Sequence, residues 1–335
     1  MLTYARSDRN FVRPTPIKRT LTKPPALKAG DHIALVAPAS PPLSPDVIPR
    51  TQERLETLGF KVSVGKQCAQ RNGFLAGSDR ERVSDLHAAF SRSSVKAIFC
   101  IRGGYGVGRI LSSLDFKRLA ARPKIIVGCS DITALLCGGL VEAGMVMFHG
   151  PMGQSLVDTA CPDFTWNSLL VTLMKRDAAL GSIVRGYDRA QVEGLRRGRV
   201  TAPLIGGNLS VLLSLLGTPF FPSFKNKIVC LEDVSEKPYR IDRMLTQLLS
   251  VGAFDEVAGF ALGNFRDCEY ERASSGEQRQ TLQEVLVERL YRLGKPIVFG
   301  LPFGHNPHNC TLPLGVRATL DGARGDLIIE EFGVR

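Results

Sequence analysis

The sequence predicts an α/β protein in two parts: an N-terminal domain built on a parallel sheet and a second α/β domain containing some antiparallel strand. Three observations predict it. Residues 97–101 and 125–127 are short runs that are apolar throughout, as strands are when both faces of the sheet are covered. Helical patterns alternate with such runs, which is the order of a parallel sheet with crossover connections. Near the end, residues 316–320 and 326–331 read as a hairpin across Asp321-Gly322 and neighbouring turn residues.

The elements follow in order. A first strand over 33–37 stops at Pro38. A helix opens near Ser44-Pro45-Asp46, a cap followed by proline in the first turn, and turns Ile48, Thr51, Leu55 and Leu58 inward until Gly59. Residues 62–64 are the next strand. Ser78 to Glu81 open a helix with Val83, Leu86, Ala89 and Phe90 on one face. Strand 97–101 leads to a helix starting at Gly106. Strand 125–127 leads to a helix over 131–143, with Gly144 just past its end. Residues 153–200 are mixed in texture, with a basic, glycine-containing stretch over 185–199 that reads as a linker or mobile loop. Then come a helix over 209–216, a strand over 228–231, a helix over 241–251, a strand over 257–262, a helix over 282–293 and a strand over 297–299. The expected divisions are a basic, poorly ordered tail over 1–28, the N-terminal domain over 29–165, a linker over 166–200 and the C-terminal domain over 201–335.

Composition narrows the function classes. With 44% hydrophobic and 22% charged residues, the chain can bury an ordinary globular core. The net charge is +11, but residues 1–30 hold seven Lys/Arg against Asp8 alone, so that stretch carries most of the excess. It reads as a solvated tail, having almost no apolar periodicity, with a nucleic-acid arm as the weaker alternative. No secretory signal is expected, for want of an apolar core and a cleavage site. No run reaches the roughly 18–20 apolar residues of a membrane span. The eight cysteines form no C-x-x-C pair and several sit in apolar runs, as buried thiols of a reducing compartment do, so a cytoplasmic protein is expected.

The residues that carry chemistry begin with Lys124-Ile-Ile-Val-Gly-Cys-Ser130-Asp-Ile-Thr133. A buried strand runs into a tight turn at Gly128, and a helix begins just after Ser130, which is the layout of a nucleophile elbow. The amide of Asp131, in the first turn, would point at a developing oxyanion. Ser130 reads equally as a helix cap, and Ile132 stands where the G-x-S-x-G pattern wants a last glycine. Cys129 is a rival nucleophile at a position expected to face the core. Arg102-Gly103-Gly104-Tyr105-Gly106 follows another strand. It fits neither a dinucleotide fingerprint nor a P-loop, and is either a plain tight turn or the source of a second oxyanion donor. A serine needs a base, and there are five histidines. His32 and His87 read as structural, His149 as a possible cleft residue, and His305 lies in a loop after a strand with His308 close by. The loop after strand 228–231 offers Glu232 and Asp233, of which only one can face the site.

Gly-Cys-Ser-Asp-Ile-Thr, Arg-Gly-Gly-Tyr-Gly, His-Gly-Pro-Met, Gly-Gly-Asn-Leu, Leu-Glu-Asp-Val-x-Glu-x-Pro-Tyr-x-Ile-Asp-Arg and Gly-Leu-Pro-Phe-Gly-His occur in this order between Gly30 and about Gly315. Together they resemble the LD-carboxypeptidase family of serine peptidases, which includes the muramoyltetrapeptide carboxypeptidases and the microcin C self-immunity proteins. The resemblance implies Ser130 as nucleophile, Glu232 as orienting carboxylate and His305 as base. The oxyanion donors would be the amides of Asp131 and of Gly103 or Gly104. Cys129 departs from the family, where an aromatic residue is common. The implied fold is an N-terminal parallel α/β domain with the elbow plus a smaller C-terminal α/β domain of β-rich character, usually as a homodimer. The implied reaction releases terminal D-alanine from a murein tetrapeptide during cytoplasmic cell-wall recycling, with no metal or organic cofactor and with no nucleic acid or membrane partner. Arg102, beside the glycine loop, is the candidate for the substrate's free carboxylate, its alternative role being to brace that loop by pairing with an acid. Tyr105 and Asn208, within two of the motifs, are further candidates for substrate binding. Two other functions stay open: an immunity-type hydrolase of aminoacyl-nucleotide conjugates, and a catalytically silent binding module on the same scaffold. The first would profit from an aromatic platform, and the lone Trp166 sits in an apolar helical setting instead.

Overall fold

The computed structural model describes residues 14–17, 20–174, 180–270 and 280–335. The N-terminal strands are β1 (His32–Val36), β2 (Lys61–Val64), β3 (Val95–Cys100), β4 (Ile125–Gly128) and β5 (Met147–His149). They are followed by β6 (Gly181–Ser182), β7 (Glu193–Arg196), β8 (Arg199–Asn208), β9 (Ile228–Val234), β10 (Gly259–Arg266), β11 (Ile297–Phe299), β12 (Leu312–Leu314), β13 (Arg317–Asp321) and β14 (Asp326–Ile329).

Among the described residues these strands make two sheets. The first has the order β12-β5-β4-β3-β1-β2, and β1 to β5 pair in parallel. Its centre is fully buried, Ile98 lying opposite Ile126 and Phe99 opposite Val127. The second has the order β6-β14-β13-β8-β9-β10-β11-β7, parallel from β8 to β11 and antiparallel toward both edges. The fold is therefore α/β in both halves, with antiparallel strand confined to the second sheet and to β12.

The helices are local consequences of sequence. Helix Asp79–Ser91 starts at a capping box, where Ser78 Oγ accepts from the Glu81 amide and Glu81 reaches back to the Ser78 amide. Helix Pro238–Ser250 takes proline in its first turn and buries Ile241, Leu245 and Leu248 along one stripe. The helix expected over 131–143 is three tighter or looser turns in series: a 3₁₀ turn Ser130–Ile132, an α-helix Thr133–Gly138 and a π-turn Gly139–Ala143.

Two expected boundaries differ from the structure. Residues 20–28 are not a free tail. The Leu27 side chain is buried and its amide donates to Leu173 O at 2.8 Å, the Arg335 amide donates to Pro24 O at 3.0 Å, and Lys23 pairs with Glu331 at 2.7 Å. Backbone pairing of this kind leaves no apolar periodicity to read. Residues 1–13 and 18–19 of that stretch lie outside the described residues. The segment 166–200 is not a linker either. Most of helix Asp163–Met174 falls in it, with Trp166 and Leu169 buried, and so do β6, β7 and the start of β8. The exposed Arg199 at its start and Gly206-Gly207 at its end disguise β8 as a loop. The C-terminal segment is shared as well, since β12 adds antiparallel to β5 in the first sheet.

Candidate active site

The site assembles at the carboxyl ends of parallel strands in both sheets, where open α/β sheets place their ligands. β4 ends at Gly128, and Ser130 follows with φ +60°. A non-glycine residue there carries backbone strain, and the surrounding contacts must hold it. β3 ends at Cys100 and delivers the glycine loop beside it. A Cβ placed on Gly103 would stand 2.7 Å from Ser130 Cβ and 3.2 Å from the Asp131 amide nitrogen. Only glycine permits that approach. The amides of Gly103 and Gly104 donate to no group among the described residues, so they are free to receive an anion.

The loop is pinned from three sides. Asp131 Oδ2 accepts from the Val107 amide at 2.8 Å. Arg82, wholly buried, donates to Gly106 O at 2.9 Å and also to Pro38 O and Asp79. Ser40 donates its amide to Gly103 O at 3.0 Å, and its hydroxyl accepts from the Tyr105 amide at 3.2 Å. Burial raises the Asp131 pKa to about 6 against the pull of the Val107 amide and Arg82.

The second sheet supplies charge. Glu232 sits within β9 and is fully buried; His305 lies in the loop after β11. His305 Nδ1 donates to Glu232 Oε2 at 2.6 Å, which leaves Nε2 toward the cleft. Asp233 does not meet the imidazole. Its carboxylate accepts from the Ser210 amide at 2.9 Å and from Asn208 Nδ2 at 3.1 Å, and burial raises its pKa to about 6. For His305, burial pulls the pKa down, but the charge and hydrogen bond of Glu232 outweigh it and leave a net rise. For Glu232, burial pushes up, and His305 chiefly outweighs it to hold the carboxylate ionised. The His305 loop is tied by Asn309, whose Oδ1 accepts from the Gly304 amide at 3.2 Å and whose own amide donates to Thr165 Oγ1 at 2.9 Å.

Ser130, Gly103, Gly104, Arg102 and His305 line one cleft of about 540 Å³, with Glu232 behind His305. Ser130 Oγ makes no hydrogen bond among the described residues, although it shares this cleft with His305. Arg102 donates to Pro41 O at 2.9 Å and pairs with no carboxylate of the described residues; the bracing partner expected for it is Pro41, not an acid. Tyr105 stands outside the cleft, more than half exposed, its ring edge-on to Phe74 at 5.4 Å. Asn208 is also outside it: the residue is buried, with its Oδ1 capping helix Leu209–Ser214 and its Nδ2 on Asp233. Cys129 is buried, and burial drives its thiol pKa far up, which keeps it protonated. His32 bonds Ser63 Oγ at 2.8 Å, His87 accepts from the Asp115 amide at 2.9 Å, His308 packs against the Phe164 and Tyr187 rings, and His149 is buried away from the cleft. Arg82, Ser40, Asn309 and the Asp131 carboxylate were not foreseen, and only the polar residue types beside two of the motifs hinted at them. No group of His, Cys, Asp or Glu among the described residues could hold a metal ion.

Comparison with known proteins places this arrangement. The profile of the LD-carboxypeptidase N-terminal domain matches residues 33–150, and that of the LD-carboxypeptidase C-terminal domain matches residues 201–320. A probable murein peptide carboxypeptidase of Bacillus subtilis is 36% identical over 92% of this chain and 94% of its own length. A murein tetrapeptide carboxypeptidase of Pseudomonas aeruginosa is 35% identical over 88% of this chain and 94% of its own. The crystal structure of a muramoyltetrapeptide carboxypeptidase from Oxalobacter formigenes superposes with a TM-score of 0.78 at 31% identity, covering 90% of this chain and 99% of that one. The microcin C7 self-immunity protein of Escherichia coli is more distant, at 27% identity over 84% of this chain and 87% of its own.

Proposed function

We infer what this enzyme acts on from one premise: the chain belongs to the LD-carboxypeptidase family, and is a serine-type hydrolase. The substrate we propose is a murein tetrapeptide, cut at the amide between the L-centre of its diamino acid and the terminal D-alanine. The observation that carries this reading is Arg102, a cation in the cleft beside Gly103 whose one hydrogen bond among the described residues goes to a carbonyl. A free guanidinium there is suited to the terminal carboxylate that distinguishes a carboxypeptidase substrate. The relatives named for murein peptides support the same reading.

In the proposed mechanism His305 Nε2 takes the proton of Ser130 Oγ as the oxygen attacks the carbonyl carbon. The amides of Asp131 and Gly103 receive the oxyanion, and Glu232 stabilises the imidazolium. The intermediate collapses when His305 gives its proton to the departing D-alanine nitrogen. Water then attacks the acyl-enzyme with His305 again as base, and Ser130 recovers its proton. We place the reaction in the cytoplasm and the working unit as a homodimer, on family resemblance. No helix of the described residues is long and apolar enough to cross a membrane.

Mass spectrometry of a tetrapeptide incubated with the protein tests the reading. Loss of one terminal D-alanine from the free acid is expected, with the C-terminal amide a poor substrate. Equal cleavage of acid and amide, or none of either, would reject it and favour the immunity-type substrate, which presents a nucleotide instead of a carboxylate. Trp166 offers that nucleotide no platform, because it is buried with its ring nitrogen bonded to Leu156 O at 3.2 Å.

A further inference from the structure

A set of polar atoms lies buried behind the proposed triad with nothing to bond. Glu232 Oε2 accepts from His305, but Glu232 Oε1 has no hydrogen-bond partner among the described residues; neither ring nitrogen of His149 has one, nor has Thr311 Oγ1. All three residues are at most 1% exposed. Buried polar atoms are nearly always paired, so several orphans around one corner call for a common explanation.

They do share one corner. His149, at the end of β5, lies opposite Leu312 of β12, the residue after Thr311. A Cβ on Gly150 would stand 2.8 Å from Thr311 Oγ1. The Phe303 ring meets His149 edge-on at 6.1 Å. Gly304, the next residue, has φ +113° and packs so closely on the carboxylate that a Cβ there would stand 2.8 Å from Glu232 Oε2. The charges acting on His149 are those of Glu232 and His305; those acting on His305 come from Glu232, Asp233 and Arg266.

We propose that His149 is a positioning residue whose ring N–H reaches Glu232 Oε1 through one bridging water, with a second water joining its other nitrogen to Thr311 Oγ1. The carboxylate is then held at both oxygens, by His305 on the cleft side and His149 on the core side. Burial lowers the His149 pKa to about 4, chiefly by desolvation and against the charge of Glu232, so the ring is neutral and has one donor and one acceptor to offer. Asn208 also helps to hold Glu232 ionised, less than His305 and His149 do, while its Nδ2 donates to Asp233 Oδ1 at 3.1 Å.

The inference rests on the carboxypeptidase reading for its kinetic arm alone. In that arm, kcat and KM for the tetrapeptide are measured against pH in His149→Phe and His149→Gln. His149→Phe is expected to lower kcat by roughly tenfold or more with KM little changed. It should also move the acid limb to higher pH, because a carboxylate freed of one donor holds the His305 imidazolium more tightly. His149→Gln, which keeps a donor, should recover much of both. A lower melting temperature with an unmoved acid limb would assign His149 a packing role and overturn the proposal. The second arm needs neither turnover nor a stable His149 variant. In ¹⁵N–¹H spectra the His149 ring should show one slowly exchanging N–H, and its proton resonance should move in Glu232→Gln. A resonance indifferent to that substitution would overturn the proposal, whereas failure of the wild type to cut the tetrapeptide would count against the substrate alone.

Discussion

The two halves of the cleft are held by different physics. On the side of the first sheet, the proposed working groups are backbone amides around a strained serine, and buried side chains pin their loop by hydrogen bonds to backbone: Asp131 to Val107, Arg82 to Gly106, Ser40 to Tyr105. On the side of the second sheet, the proposed working groups are an imidazole and a carboxylate 2.6 Å apart, whose chemistry depends on their protonation. The first half is limited by geometry and the second by charge. Changes to the first should lower the rate at every pH, and changes to the second should also displace the pH profile.

Ser130→Ala should have the largest effect, a loss of kcat on the order of 10⁴- to 10⁶-fold across the whole pH range with the fold retained. Cys129→Ala, by contrast, should keep most of the activity. Steady-state rates and circular dichroism of both variants check this, and inactivity of the cysteine variant alone would move the nucleophile. Glu232→Gln should come next, at roughly 10⁴-fold. Its signature is in the profile. With Glu232 ionised, the His305 pKa lies above the ordinary 6.5, so kcat/KM should rise with pH to a midpoint above that value. Without the charge, burial dominates and the midpoint should fall below it. An unmoved midpoint would break the division between the halves.

Gly103→Ala belongs to the geometric half. The added methyl would press on Ser130 Cβ and displace an oxyanion donor, for a loss of roughly 10²- to 10³-fold. The midpoint of its kcat/KM profile should match the wild type, and a shifted midpoint would show that the loop also carries charge. Asp131→Asn should be the mildest in rate, since an amide oxygen still accepts from Val107, and its effect should appear in stability. The folded-state pKa of Asp131 is raised from 3.8 to about 6, so the folded protein binds this proton more tightly than the unfolded chain. Its contribution is therefore present at low pH and is lost as pH climbs from about 4 to 6, an effect on the order of 3 kcal/mol. Denaturant titrations at a series of pH values should show Asp131→Asn losing less stability over that interval than the wild type. An equal loss in both would place the proton elsewhere.

What the sequence disclosed divides along similar lines. The alternation of apolar strands and helices was legible because burial on both faces leaves continuous runs such as Ile125-Ile126-Val127. That Ser130, Glu232 and His305 meet at one cleft was legible because each stands inside a recognisable motif. The bracing residues were not. Arg82 lies on a helix where an arginine ordinarily faces water, and only the close approach of the Gly106 loop buries it. Asp131 was read for its amide, and its carboxylate proved equally engaged, across 24 residues of chain. Asn208 was read as a substrate contact because it stands in a motif, but its position at the β8–helix junction commits it to capping. Contacts between distant segments leave no periodicity in the chain, and so β8, β12 and the pairing of residues 20–28 with the protein's body were missed together.

The central claim is that the strained Ser130 on one side and the His305–Glu232 pair on the other form a single nucleophilic device. The most direct measurement is covalent labelling with a serine-directed phosphonate, followed by peptide mapping in the wild type and in Glu232→Gln. One adduct per chain on Ser130 is predicted, forming at a rate that rises with pH through the His305 titration and falling sharply in Glu232→Gln. A folded wild-type protein that takes no label would point to a silent binding module. Labelling of Ser130 at the same rate in both proteins would contradict the account, because the two halves would then not be coupled.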